Sequence, residues 1–222
     1  MFCNKIYKII LGGIKYLGCK PSIELDPISV QLNNIAAYII NALAGMVWGL
    51  NLNALFGLFY VESPYFLPFQ FITHMFMHGD IWHIFFNMFA LWMFGRIMEQ
   101  TWGWKKFLIF YFVCGFGGAL IQEMGQLIGL INSQDYIIGA SGAIMGLVGF
   151  IVVWIIKNRK TFVRNRNVII RLVFLALLIL YASFWQSGAN TAAHLGGFLT
   201  GAVLGVINIV LLKNDKYMEG LA

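Results

Sequence analysis

The sequence predicts an all-α membrane protein, a bundle of six transmembrane helices with a partly immersed outer loop between the first two. Only 11% of the 222 residues are charged and 60% are apolar, against roughly a quarter charged in soluble domains. Apolar stretches able to cross a hydrocarbon core of roughly 30 Å fall at 30–50, 82–98, 107–128, 140–156, 168–185 and 191–212. The 15 Lys and Arg then all lie on one side, as expected when basic residues are retained on the cytoplasmic face.

Taken in order, residues 1–29 form a basic segment with Lys5, Lys8, Lys15 and Lys20, able to lie along the inner headgroups. The apolar run 6–17 is short, broken by Lys8 and Lys15, and lacks the small-residue cleavage pattern of a signal peptide. A single membrane domain follows over 30–212, then a short cytoplasmic tail, 213–222. Arg96, Lys105 and Lys106 mark the connection between the second and third spans. Lys157, Arg159, Lys160, Arg164, Arg166 and Arg171 mark that between the fourth and fifth, and Lys213 and Lys216 follow the sixth. The opposite side keeps acids, among them Glu62, Asp80 and Asp135. Both termini are therefore expected in the cytoplasm, and the compact six-span form points to a bacterial inner membrane.

The net charge of +6 meets anionic headgroups in this arrangement, so no nucleic-acid partner is expected. Cys3, Cys19 and Cys114 have neither disulfide nor zinc spacing. The outer segment 51–81, with Pro64, Pro68 and several Phe, is too aromatic for a solvated loop and too interrupted for a span. It reads as folded structure partly in the outer leaflet. His74 and His78 within it could chelate a metal but have no third ligand at good spacing, so hydrogen bonds that hold the loop are the simpler role. No metal or cofactor is expected.

Small residues four apart let membrane helices approach closely. Gly142 and Gly146 in the fourth span, and Gly197, Gly201 and Gly205 in the sixth, predict that these two helices pack together. Their outer ends carry Gly139-Ala140-Ser141-Gly142 and Ala193-His194-Leu195-Gly196-Gly197. Packing would bring Ser141 level with His194, each about one turn into its helix. A serine hydroxyl is a poor nucleophile until a neutral imidazole takes its proton, and Ser141 and His194 supply that pair. Glu123 and Asp135 belong to other segments and Asp80 lies near the surface, so a dyad is expected rather than a triad. An oxyanion needs preorganised donors. The amides around Ala140 and Ser141 at a helix start, and His83 and Asn87 four apart on one face of the second span, can provide them. Taken singly, a serine in a glycine-rich helix is an ordinary packing residue, and Asn87 an ordinary interhelical hydrogen-bonding one.

Together these strings resemble the rhomboid family of intramembrane serine proteases. His78 to Asn87 is similar to its H-x-x-x-x-H-x-x-x-N stretch, and Glu99 to Gly103 to the E-x-x-x-G that closes the second helix. Gly139 to Gly142 is similar to its G-x-S-G, and Ala193 to Gly197 to its A-H-x-x-G. The resemblance implies a six-helix core that cleaves single transmembrane helices of membrane-anchored substrates near their outer end. Ser141 then acts as nucleophile, His194 as general base and acid, and His83, Asn87 and the Ser141 amide as oxyanion hole. Phe86, Phe184 and Trp185 would line a lateral gate. Phe69-Gln70 stands where many relatives carry Trp-Arg, and Met145 where many carry an aromatic ring against the histidine; a thioether holds the imidazole less rigidly. Water would reach the site past His74, His78, Gln70 and Asn87. Two other readings are a catalytically silent chaperone or scaffold that binds transmembrane helices, which would ordinarily lack the serine or histidine, and a His-lined ion transporter, which would need more intramembrane acids.

Overall fold

The computed structural model describes residues 27–131, 136–159, 173 and 191–214. The fifth predicted span with Phe184 and Trp185, most of the basic N-terminal segment, most of the basic run between the fourth and fifth spans, and Asp135 lie outside the described residues.

The described residues form the helices α1 Pro27–Trp48, α2 Leu52–Phe56, α3 Gln70–Thr73, a 3-10 turn His74–Phe76, α4 Ile81–Trp102, α5 Trp104–Leu127, α6 Ser141–Lys157 and α7 Thr191–Gly205, the last continuing as a π-helical turn, Val206–Leu211. Among the described residues, four helices are long and apolar enough to cross a membrane: α1, α4, α5 and α7 with its π turn. The fourth predicted span is realised as a helix of 17 residues, short of the roughly 20 that cross a bilayer unaided. Every residue from Ala143 to Ile151 is buried. The neighbouring helices enclose it, so its length need not match a membrane.

Local chemistry sets the boundaries. Asp80 caps α4 by accepting the amides of Trp82 (2.8 Å) and His83 (2.9 Å). Gly103 ends α4 and starts α5 at once: its amide donates to the Glu99 carbonyl (2.7 Å) and its carbonyl accepts from Phe107 (3.1 Å). Its φ of +87° makes this one-residue reversal a glycine position, which is the role the E-x-x-x-G string was expected to play. The core at this end gathers Met98, Trp102, Phe107, Phe110, Phe150 and Trp154, with Trp102 edge-on to Phe150 at 4.9 Å. The π turn brings Asn214 under it, where the Asn214 carbonyl accepts the Trp102 indole N–H at 3.3 Å.

The predicted contact between the glycine-striped helices is realised with little tolerance. A Cβ at Gly197 would strike the Gly142 carbonyl, and one at Gly201 the Gly146 carbonyl. From the other side, a Cβ at Gly149 would strike the Phe198 carbonyl. Backbone meets backbone along the whole seam, and this fixes α6 and α7 in depth relative to each other.

Segment 51–81 is folded, as expected. Leu58 pairs with Ile137 in an antiparallel bridge through hydrogen bonds of 3.0 and 2.9 Å. Met75, fully buried, lies over Gly115, where a side chain on α5 would collide with its sulfur. Gln70 is 1% exposed. Its amide donates to the carbonyls of Leu55 (3.1 Å) and Tyr65 (3.2 Å), and its oxygen accepts from the amides of Leu67 (3.1 Å) and Phe59 (3.4 Å).

Candidate active site

Ser141 and His194 are brought together by the seam. The Ser141 hydroxyl lies 2.6 Å from His194 Nε2, a hydrogen bond in which the serine donates to the neutral ring. The depth of Ser141 differs from expectation. It is the first residue of α6 rather than about one turn in, whereas His194 is the fourth described residue of α7, about one turn in as expected. The cause is the turn before α6. Gly139 has φ +120°, Ala140 is the N-cap, and the helix cannot begin earlier.

That turn is built for close approach. A Cβ at Gly139 would stand 2.7 Å from His83 Nε2 and 3.6 Å from Ser141 Oγ, so a glycine admits the His83 ring to the edge of the serine. The Gly139 amide donates to the His74 carbonyl at 2.8 Å, which ties the turn to the outer loop. Ala140 is fully buried and offers no side-chain cap. An alanine N-cap costs about 1 kcal/mol against serine or asparagine, but it places no side-chain acceptor of its own on the first amides of α6, including that of Ser141.

His83 and Asn87 share a face of α4 as expected. The Asn87 amide donates to the His83 carbonyl at 3.0 Å, using one of its two N–H groups, and the side chain is buried. The Gly79 amide approaches His83 Nδ1 at 3.5 Å. An acceptor role for Nδ1 puts the ring proton on Nε2, the nitrogen beside Gly139 and the serine.

No carboxylate orients His194 among the described residues, where its Nδ1 is buried without a hydrogen-bond partner. Glu123 is engaged elsewhere, accepting the Val61 amide at 2.9 Å, and Asp80 is the α4 cap. Among the described residues, the two side chains that meet here are those of Ser141 and His194. Met145 lies one turn beyond Ser141 and is buried.

The outer-loop histidines divide the role expected of them. His74 is buried, and its Nδ1–H donates to the Gln70 carbonyl at 2.8 Å. Burial is the main cause that lowers its pKa to about 4, so the ring is neutral. His78 holds the loop through its backbone, its carbonyl accepting from Asn53 Nδ2 at 3.0 Å. Its ring nitrogens make no well-formed hydrogen bond among the described residues, with the Phe76 backbone a marginal partner. Burial, with the His83 ring next, holds this imidazole down to about 3. The four side chains expected along a water route, Gln70, His74, His78 and Asn87, are all buried. Gln70 in particular is spent on loop backbone. Among the described residues no cluster of His, Cys, Asp or Glu could hold a metal.

One residue had no motif to mark it. Gln122 is 1% exposed with neither amide atom bonded among the described residues. It lies one turn from Gly118, whose absent side chain makes room for the Ala193 carbonyl. Its spacing of four from that glycine is the only signal the sequence held.

Comparison with known proteins bears on the same segments. The Rhomboid domain model matches residues 66–210. Rhomboid protease AarA of Providencia stuartii is 32% identical over 154 residues, 62% of this chain and 54% of that protein. Rhomboid-like protease 3 of Toxoplasma gondii is 29% identical over 194 residues, 83% of this chain and 70% of that protein. RHOMBOID-like protein 1 of Arabidopsis thaliana is 29% identical over 138 residues, 62% of this chain and 34% of that protein. The chain spans about a third to a half of the length of the Arabidopsis relatives it matches. The relatives include bacterial, plant and protozoan proteins, so they do not single out a bacterial inner membrane. With a domain model that runs from the outer loop through the serine turn to the end of the last helix, the chain belongs to the rhomboid family.

Proposed function

We propose that the chain is an intramembrane serine endopeptidase that cleaves transmembrane segments of membrane-anchored substrates near the outer face, using Ser141 and His194 as a dyad. The 2.6 Å contact between Ser141 Oγ and His194 Nε2 carries this reading. As the Ser141 oxygen attacks the scissile carbonyl carbon, its proton passes to His194 Nε2. The tetrahedral oxyanion is met by the Ser141 amide, on which Ala140 places no side-chain acceptor, by His83 Nε2–H across Gly139, and by the remaining Asn87 N–H. Collapse breaks the C–N bond, and the imidazolium returns its proton to the leaving amine. Water, deprotonated by the same ring, then hydrolyses the serine ester and restores the hydroxyl.

The substrate helix must open locally first, because a continuous helix spends its carbonyls on its own hydrogen bonds. Named proteases among the relatives support the reading. The presence of both dyad residues in bonding contact favours it over a catalytically silent helix-binding scaffold. The accompanying architecture is six spans in one domain over 30–212, both termini cytoplasmic, in a bacterial inner membrane. Single-pass proteins in the bilayer are the proposed substrates.

The test is fluorophosphonate labelling and cleavage of a generic transmembrane substrate in liposomes. Wild type is expected to be labelled and active, while Ser141→Ala and His194→Ala lose both, by a factor of about 10⁴ or more in rate. Cleavage that persists in Ser141→Ala sinks the proposal.

A further inference from the structure

His78 takes no part in the steps above, yet it is 1% exposed and its ring nitrogens make no well-formed hydrogen bond among the described residues, the Phe76 backbone being a marginal partner at most. A buried polar ring without a well-formed hydrogen bond calls for a reason. Its recorded ring contact is with His83, centroids 5.0 Å apart at 67°, an edge-on arrangement. His83 also meets Gly139, where a Cβ would stand 2.7 Å from its Nε2. The imidazole is thus in contact both with the His78 ring and with a glycine.

We propose that His78 is a positioning residue for His83, its ring edge holding the His83 imidazole so that Nε2 faces the Ser141 hydroxyl. The inference rests on the reading of Ser141 as nucleophile and His83 as oxyanion donor. Hydrogen bonding alone holds the ring weakly: the Gly79 amide reaches Nδ1 at 3.5 Å, the outer limit for such a bond. Packing therefore supplies the rest, and edge-on ring pairs prefer a defined orientation. These contacts are themselves anchored. Asn53, at the buried side of α2, holds the His78 carbonyl, and Asp80 holds the His83 amide. Three consecutive residues, His78 to Asp80, thereby touch His83 by ring, by amide and by carboxylate. A neutral His78 adds no charge beside the oxyanion, so its effect is orientational.

The experiment uses the full chain in liposomes with a transmembrane substrate. His78→Leu fills the volume without a ring, and His78→Phe restores a ring without nitrogens. His78→Leu is expected to lower kcat about tenfold at unchanged KM, the scale of a slightly misplaced donor, and His78→Phe to recover most of that loss. In a His83→Ala background, His78→Leu should cost less than about twofold, because there is no ring left to position. Ring ¹⁵N shifts of His83, assigned by single variants among the four histidines, should report an Nε2–H tautomer in wild type and a mixture in His78→Leu. Equal losses with and without His83, no recovery by phenylalanine, or unchanged His83 shifts would each overturn the proposal. The parent reading fails separately, by cleavage that survives Ser141→Ala, and the ring shifts still decide the orientation in that event.

Discussion

Helix α6 buries every residue from Ala143 to Ile151, whereas α1, which is also apolar, buries only Pro27, Val30, Asn34 and Ala44. Although α6 is also the more apolar of the two, hydropathy alone does not say which helix its neighbours enclose. On α6, Gly142, Gly146 and Gly149 let the α7 backbone come to contact distance. On α1, Leu32, Ile35, Ile39, Ile40 and Leu43 stand exposed toward what a membrane fills with lipid. Apolar length makes a helix suited to a bilayer; small residues decide which helix its neighbours surround. Ser141, the proposed nucleophile, is carried by the enclosed one, where depth and rotation are set by backbone contact.

The comparison can be broken at the seam. Gly201→Leu sets a side chain against the Gly146 carbonyl, which has no rotamer to yield. It is expected to destabilise by about 3 kcal/mol or more and to abolish fluorophosphonate labelling, read with a thermal midpoint in detergent. Comparable substitution on α1, Leu43→Ala, should leave both unchanged.

Next in size is Gly139→Ala. The change asks a Cβ-bearing residue to hold φ +120° against the His83 ring. Strain of about 1–3 kcal/mol and a fall of about a hundredfold in acylation rate are expected, measured by labelling kinetics alongside the midpoint.

Acid sharpens the comparison differently. His74 and His78 have pKa values lowered by burial to about 4 and about 3, against roughly 6.5 unfolded. The unfolded chain binds the extra protons, so stability is full above about pH 6.5 and falls as pH drops toward the folded values, by at most about 1.4 kcal/mol per pH unit for each ring. A midpoint that declines between pH 6.5 and 4.5, with the slope reduced in His74→Gln, is the expected observation. A flat profile contradicts the burial of these rings.

The smallest effect belongs to the lipid-facing side. Ile39→Leu on α1 should shift the midpoint by less than about 0.5 kcal/mol equivalent. A larger shift would mean that this face packs against protein.

Much of the described architecture was legible because its causes are local. Helix ends fell within a few residues of the apolar limits, since hydrocarbon thickness sets length, and Gly103 closed α4 because it needed only its own φ. The α6–α7 contact could be read from glycines at four-residue spacing, and the Ser141–His194 meeting followed from it. What was not legible depended on remote partners. Gln70 bonds to Leu55, Tyr65, Leu67 and Phe59, and His78 packs its ring on His83, neither of which the sequence pattern marks.

By itself, then, the sequence determined that this chain is a membrane-embedded helical bundle of the rhomboid family, which helices touch, and which serine and histidine share a level. Periodicity and side-chain size carry that information along one strand of chain. Only the tertiary structure decided that α6 starts at Ser141, that Gly139 opens a gap for His83, and that the outer loop drives Met75 over Gly115 and locks onto Ile137 and Glu123. Those are contacts between segments up to some eighty residues apart, and no local pattern encodes where a loop turns its polar groups once a neighbouring backbone offers them a partner.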